Sequence, residues 1–137
     1  MKIVLVEDDP DIALGIQETI EDVGVTRKNI IHVFDLVSFQ EALRAHQFVL
    51  AILDGKFPRT KWGPVQFRAN EAYDSFRASS SGLLKNGNKS PVVLHTWEDR
   101  DKALWIMGSR SVNFLQKWSP NGLEELQAII RTNLALG

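Results

Sequence analysis

The sequence predicts an α/β protein built on a doubly wound, five-stranded parallel β-sheet. Three observations indicate this class. Short apolar runs rich in β-branched residues recur along the chain, segments with helical apolar spacing separate them, and the chemically active polar residues fall where the runs end. Strands that alternate with helices pair in parallel, with right-handed crossovers that place helices on both faces. The 137 residues suit one domain over positions 1–137, with no room for an effector domain.

The first half of the chain supplies three strands and two helices. Lys2–Val6 is an almost continuous apolar run, which is typical of a strand buried on both faces. Asp9 is a favourable N-cap, Pro10 suits the first helical position, and Gly24 is expected to end the helix. Apolar residues recur within this helix at Ile12, Ile16, Ile20 and Val23. The elements predicted next are a strand at Ile30–Phe34, a helix at Ser38–His46 with Phe39, Ala42 and Leu43 inward, and a strand at Phe48–Leu53.

The second half begins with an extended connection, at about residues 55–90, which is longer than compact connections need. Pro58, Gly63 and Pro64 predict an irregular segment, and a helical segment follows near Val65–Ala78. The next predicted elements are a strand at Pro91–His95, a helix at Asp99–Met107 with Trp105 in its core, and a strand at Val112–Gln116. Ser119 as N-cap and Pro120 as first residue predict a last helix, whose apolar face contains Leu123, Leu126, Ile129, Ile130 and Leu134.

Composition and motifs exclude several function classes. The chain has no cysteine, which removes thiol catalysis and thiolate metal sites and suits a cytoplasmic protein. Acidic residues follow the first strand too early for a signal peptide, and no apolar run reaches membrane-spanning length. The G-x-G-x-x-G, P-loop and G-x-S-x-G motifs are missing, which argues against dinucleotide, P-loop nucleotide and serine-hydrolase chemistry. No helix is strongly basic, so we expect no direct binding to nucleic acid.

Polar residues with complementary chemistry follow the predicted strands. They are Glu7, Asp8 and Asp9 after the first strand, Asp54 after the third, Thr96 at the end of the fourth and Lys117 after the fifth. Because ligands of parallel sheets bind beyond the carboxyl ends of the strands, we expect these residues to converge there. Clustered carboxylates beside a lysine and a hydroxyl predict a site for a divalent metal and a phosphoryl group. His32 and His95 lie within apolar strands and are expected to be core or edge residues.

Four fragments of the chain carry a family resemblance. They are the acidic IVLVEDDPDI, the aspartate-bearing LAILDGKFP, the threonine-bearing PVVLHT and the lysine-bearing NFLQK. In this order, the chain resembles the receiver domain of two-component response regulators over essentially its full length. The resemblance implies the flavodoxin-like receiver fold, with strand order 2-1-3-4-5.

The resemblance also implies a function, a Mg²⁺-dependent phosphoacceptor within a phosphorelay. The protein would be a signalling domain rather than an enzyme, catalysing only its own phosphoryl transfer and dephosphorylation. The implied roles are acceptor for Asp54, catalytic partners for Thr96 and Lys117, metal ligands for Glu7, Asp8, Asp54 and the main-chain oxygen of Lys56, and switch residues for Thr96 and Phe114. The implied partners are a histidine kinase or phosphotransfer protein, and a downstream protein bound by the fourth helix, fifth strand and fifth helix.

The chain departs from the family pattern close to the expected site. Trp97 replaces a usually small residue, Trp118 stands where the family has proline after the lysine, and Lys56 supplies a cation able to pair with Asp54. Residues 55–89 are also longer and more basic than in the family. These departures leave a second hypothesis open, a degenerate receiver-like adaptor that binds a protein partner independently of phosphorylation.

Overall fold

Strands and helices alternate along the chain in a computed structural model, which describes residues 1–136 and the side chains of residues 1–133. The first part contains β1 (Ile3–Val6), α1 (Pro10–Glu21), β2 (Ile30–Val33), α2 (Leu36–Ala45) and β3 (Leu50–Asp54). The second part contains β4 (Lys56–Pro58), β5 (Val65–Phe67), α3 (Ala69–Ala78), β6 (Val92–Thr96), α4 (Arg100–Met107), β7 (Asn113–Gln116) and α5 (Gly122–Leu136).

Five of the strands form one parallel sheet in the order β2-β1-β3-β6-β7. This order is the predicted 2-1-3-4-5, because β4 and β5 pair with each other in a separate two-stranded sheet. The predicted fold class is therefore confirmed. In the register of the sheet, Asp54 at the end of β3 lies beside His95 of β6. Asp54, the last residue of the central strand β3, therefore lies in the middle of the sheet's carboxyl edge.

The sheet is buried on both faces, as the apolar strand runs predicted. Alternate strand residues such as Val6, Leu53 and Leu94 pack against α2, α3 and α4, with Phe39 and Phe76 at the centre of this layer. The other strand residues pack against α1 and α5, in a cluster that includes Ile3, Leu5, Ile16, Ile20, Ile52, Val93, Leu126 and Ile130. Among residues 1–136, no helix has the length and apolarity needed to cross a membrane.

Aspartate side chains fix the beginnings of three helices. Asp9 accepts hydrogen bonds from the main-chain nitrogens of Asp11 and Ile12, as its predicted N-cap role requires. Asp35 caps α2 and Asp99 caps α4 in the same way. These three aspartates therefore serve as helix caps.

The extended connection is more regular than the sequence predicted. The segment expected to be irregular forms the β4–β5 hairpin, and Val65–Phe67 is a strand where a helix was expected. The hairpin is tied to the body, since the main-chain nitrogen of Val37 donates to the carbonyl of Arg59 at 3.0 Å. The Arg68 side chain, which is buried, donates to the carbonyl of Phe57 at 3.1 Å. Long-range anchoring of this kind leaves no local pattern in the sequence.

Two further predictions about the second half are wrong. The last helix begins at Gly122 rather than Pro120, because Ser119 forms a turn whose carbonyl accepts from the Gly122 nitrogen. Trp105 is 83% exposed, since α4 buries Ala103 and Met107, and a residue two positions after Ala103 lies on the opposite side of a helix. The side chain predicted for Leu134 lies outside the described residues.

We predict that Phe57→Ala destabilises the protein by about 3 kcal/mol, because the Phe57 side chain is fully buried and the substitution leaves a cavity in the core. Urea unfolding followed by circular dichroism measures this loss. Phe34→Ala, which truncates a half-exposed ring on the β2–α2 connection, is the matched control and should cost well under half as much. Equal losses for the two variants would show that the hairpin is not anchored by Phe57.

Candidate functional site

The polar residues predicted to converge do so at the carboxyl edge of the sheet. Strand β1 ends at Val6, so that Glu7 and Asp8 follow it directly, and β3 ends at Asp54 itself. Strand β6 ends at Thr96, and Lys117 follows β7. Because β3 lies between β1 and β6, the acidic turn and Thr96 flank Asp54 from opposite sides.

Three carboxylates form the centre of the site. One carboxylate oxygen from each of Glu7, Asp8 and Asp54 lies within 4.8 Å of the others. Glu7 is 1% exposed and Asp54 is 6% exposed, whereas Asp8 is partly open to solvent. Asp9, the other acid of the turn, points to the helix it caps. The cluster therefore has a buried floor and one side that a ligand can reach.

Lys117 lies against the floor of this cluster. Its Nζ is 2.6 Å from Glu7 Oε1 and donates a hydrogen bond to Asp54 Oδ1 at 3.0 Å. The Lys117 side chain is as buried as the two carboxylates that it contacts. Charges taken out of water in this way must be paired, because the cost of leaving one unpaired is several kcal/mol. The cluster, however, contains three carboxyl groups and this one ammonium group.

The shortage of positive charge appears in the acid–base behaviour of Asp54. Burial and the neighbouring Glu7 carboxylate together raise the pKa of Asp54 from 3.8 to about 8, although Lys117 acts in the opposite direction. Near neutral pH, Asp54 is therefore protonated, and this proton neutralises negative charge that Lys117 alone leaves unbalanced. A bound cation would replace that proton, and clustered carboxylate oxygens are the ligands that Mg²⁺ prefers. These residues fit a divalent metal.

Thr96 lies in close contact with Gly55, the residue that follows Asp54. Its hydroxyl is buried and accepts a hydrogen bond from the main-chain nitrogen of Glu98 at 3.0 Å. A β-carbon on Gly55 would overlap this hydroxyl, so only glycine fits directly after Asp54. The Thr96 carbonyl also accepts from the main-chain nitrogen of Lys117 at 2.9 Å. This main-chain hydrogen bond connects Thr96 and Lys117 beside Asp54.

Lys56 does not pair with Asp54, which corrects one expectation from the sequence. Its Nζ lies 3.2 Å from a carboxylate oxygen of Glu98, which Lys102 also approaches at 3.6 Å. These contacts lower the pKa of Glu98. Glu98 is a site-flanking residue that the sequence reasoning missed. Glu98 meets Lys56 because the ends of β3 and β6 are adjacent in the sheet. The sequence around Glu98 does not indicate this pairing.

The aromatic residues near the site occupy different environments. Trp97 is more than half exposed, and its ring centroid lies 5.9 Å from Lys117 Nζ, within the range of a cation–π contact. Trp118 is also exposed. Phe114 is partly buried against the α3–α4 side of the core, with the Arg100 guanidinium 5.9 Å from its ring centroid. Trp97 is therefore a neighbour of the buried lysine.

Comparisons with solved structures identify the class of fold. The receiver domain of a sensor histidine kinase from Pseudomonas aeruginosa has a magnesium ion coordinated in its active-site cleft. It is 20% identical to this chain with a TM-score of 0.68, over 98% of this chain and 97% of that one. A signal receiver domain of a histidine kinase from Clostridium thermocellum is 18% identical with a TM-score of 0.73, over 97% and 96% of the two chains.

A phosphorylated cyanobacterial phytochrome response regulator is 22% identical with a TM-score of 0.63, over 96% of this chain and 89% of that one. No protein-family model and no curated protein sequence matches the chain. The chain therefore has the fold of the receiver domains of two-component signalling, over nearly its full length.

The raised pKa of Asp54 predicts how the metal-free protein responds to pH. An acid with a pKa of about 8 in the folded state and 3.8 in the unfolded state stabilises the fold at low pH, and this stabilisation is lost as pH rises to 8. His95 acts oppositely, because burial and Lys117 lower its pKa from 6.5 to about 4. The stability that His95 contributes is lost only as pH falls below 6.5. Between pH 6.5 and 8, the change in stability therefore reports on Asp54 rather than on His95.

Over that interval, we expect the free energy of unfolding in chelator to fall by about 1–2 kcal/mol. Asp54→Asn should remove this slope, and urea unfolding at several pH values measures it. Asp9→Asn is the matched control, because it changes an exposed acid at the same edge and keeps the cap. A slope that persists in Asp54→Asn would place the titrating group elsewhere.

Proposed function

We propose that the protein is a response-regulator receiver that accepts a phosphoryl group on Asp54. The observation that carries this proposal is the buried Lys117 ammonium, which bridges Glu7 and Asp54 beside Asp8 at the carboxyl edge of a receiver fold. A structural ion pair needs one carboxylate per ammonium. The surplus acidic groups, one of them open to solvent, are accounted for by a bound cation, whose charge would in turn allow an anionic phosphoryl group to approach.

The metal ligands in this proposal are the clustered acids. Asp8 and Asp54 would bind Mg²⁺ directly, Glu7 through a water molecule, and Lys56 through its main-chain oxygen. When bound, the metal supplies positive charge that screens the repulsion between the acceptor carboxylate and the oxygens of the phosphoryl group.

Asp54 is the nucleophile of the transfer. One of its carboxylate oxygens attacks the phosphorus of a phosphohistidine whose other ring nitrogen is protonated. The phosphorus–nitrogen bond breaks, the nitrogen keeps the electron pair, and a neutral imidazole leaves. Asp54 must be ionised for this attack, so Lys117, which favours the ionised form, assists it. After transfer, Lys117 pairs with an oxygen of the acyl phosphate in place of the carboxylate oxygen.

Thr96 and Phe114 connect the acceptor to the surface. The Thr96 hydroxyl accepts from Glu98 and keeps its own proton available to donate to the acyl phosphate. Thr96 is the last residue of β6, and Phe114 lies within the adjacent strand β7. Movement of Thr96 toward Asp54 makes room for Phe114 to turn inward, which changes the surface of α4, β7 and α5 that a downstream protein binds.

The upstream partner in this proposal is a histidine kinase or a phosphotransfer protein, since both carry the phosphohistidine that the site requires. The phosphorylation-independent adaptor is not favoured. Such a protein has no need for a buried lysine shared between two carboxylates, whereas this chain keeps Glu7, Asp54 and Lys117 in contact.

Incubation with Mg²⁺ and acetyl phosphate tests the acceptor chemistry without knowledge of the kinase. We expect intact-protein mass spectrometry to show one added phosphoryl group, and Asp54→Asn to show none while remaining folded. Omission of Mg²⁺ should lower the rate by at least tenfold, because the carboxylate and the phosphoryl group then repel each other.

Asp9→Asn is again the matched control and should be phosphorylated like the wild type, because Asp9 caps α1 and does not join the cluster. Labelling that persists in Asp54→Asn would refute the acceptor assignment. A folded wild type that neither acetyl phosphate nor beryllofluoride with Mg²⁺ modifies would refute the proposed function.

A further inference from the structure

A pocket of about 240 Å³ lies behind the acceptor site, between α1 and α5. Ile12, Gly15 and Ile16 of α1 form one wall, and Leu123 of α5 forms the other. His95 and Trp97 line it at the carboxyl edge of the sheet, beside Lys117. Lys117 therefore has the carboxylate cluster on one side and this pocket on another. The proposed phosphoryl transfer makes no use of the pocket.

His95 is a polar group in this pocket without an explained role. It is 5% exposed, and its Nδ1 has no hydrogen-bond partner within the part of the chain whose side chains are described. A buried polar atom without a partner costs about 1–3 kcal/mol, so such atoms in folded proteins normally have one. An imidazole that lines a pocket and lacks a partner is complementary to a ligand that brings a hydrogen-bonding group.

The charges around the pocket favour an uncharged ligand. The ammonium of Lys117 is already shared by Glu7 and Asp54, and Asp11 adds a further carboxylate to the lining. A carboxylate or phosphate ligand would add negative charge where it is already in excess. The imidazole itself is neutral at physiological pH, because burial and Lys117 lower its pKa to about 4. A hydroxyl group, which both donates and accepts, suits either tautomer of this imidazole.

The size and apolar walls define the rest of the ligand. An engineered apolar cavity of about 150 Å³ in another protein binds benzene, so 240 Å³ holds a ring with a small substituent. Ile12, Ile16 and Leu123 offer aliphatic surface, and Trp97 offers an aromatic wall. The lining thus matches a flat apolar body with one polar end.

We propose that this pocket binds a small neutral phenol, with its hydroxyl group on the His95 imidazole and its ring between α1 and α5. The ligand would contact Trp97 and approach Lys117, so its binding is placed to affect the acceptor site. The proposal goes beyond phosphoryl transfer and does not require it.

The test is a titration of the full chain in chelator with para-cresol, and with para-xylene as a probe in which a methyl group replaces the hydroxyl. Chemical shifts of the ¹⁵N-labelled protein report both binding and its location. We expect para-cresol to bind at least fivefold more tightly, with shifts concentrated at Gly15, Trp97 and Leu123. His95→Phe should abolish this preference, because it removes the hydrogen-bonding group and keeps an aromatic ring.

Gly15 allows a second variant that does not disturb the core. A β-carbon at this position meets no atom within 4 Å, and replacing a helical glycine by a better helix former favours the helix. Gly15→Leu should fill the pocket and abolish binding of both probes, whereas Gly15→Ala, its matched control, should retain most of it. Asp54→Asn should bind para-cresol like the wild type, so a failure of the acceptor chemistry leaves this test intact.

Two results would overturn the proposal. The first is equal affinity of the wild type for para-cresol and para-xylene, or no binding of either. The second is para-cresol binding that survives Gly15→Leu, since the ligand would then occupy another place on the protein.

Discussion

The ion pairs of Lys117 with Glu7 and Asp54 are the constraint on which the carboxyl edge of this protein depends. All three side chains are almost fully buried, and each would be costly to bury alone. Glu7 follows β1, Lys117 follows β7, and Asp54 ends β3. Their contact therefore requires these strands to end at the same level of the sheet. The same contact leaves the carboxyl groups in excess, and this excess fits the edge for a divalent cation.

The packing of the sheet positions this edge. Both faces of the sheet are covered, so the strands are apolar throughout and become polar only where they end. The close approach of Gly55 to Thr96 fixes the spacing between β3 and β6, with no space for a side chain at position 55. Asp54 therefore lies at the end of a buried strand that is packed on both faces and paired with β1 and β6.

The residues that depart from the receiver resemblance lie around the carboxylate cluster and are not part of it. The β4–β5 hairpin is anchored by Phe57 and Arg68, and Lys56 pairs with Glu98 rather than with Asp54. Trp97 contacts Lys117 and borders the pocket between α1 and α5. These additions change what can approach the site, and they leave the acidic cluster and its lysine in place.

The sequence by itself determined the fold class and the polar residues that meet at the strand ends. Both depend on local signals, namely apolar runs, helical spacing, an aspartate cap and the position of acids after strands. The order of the five sheet strands came only from the resemblance to receiver domains. Only the tertiary structure decided the hairpin, the start of α5 at Gly122, the exposure of Trp105 and the pairing of Lys56 with Glu98. These features depend on contacts between residues distant in sequence or on which helix face meets the core, and periodicity does not record either.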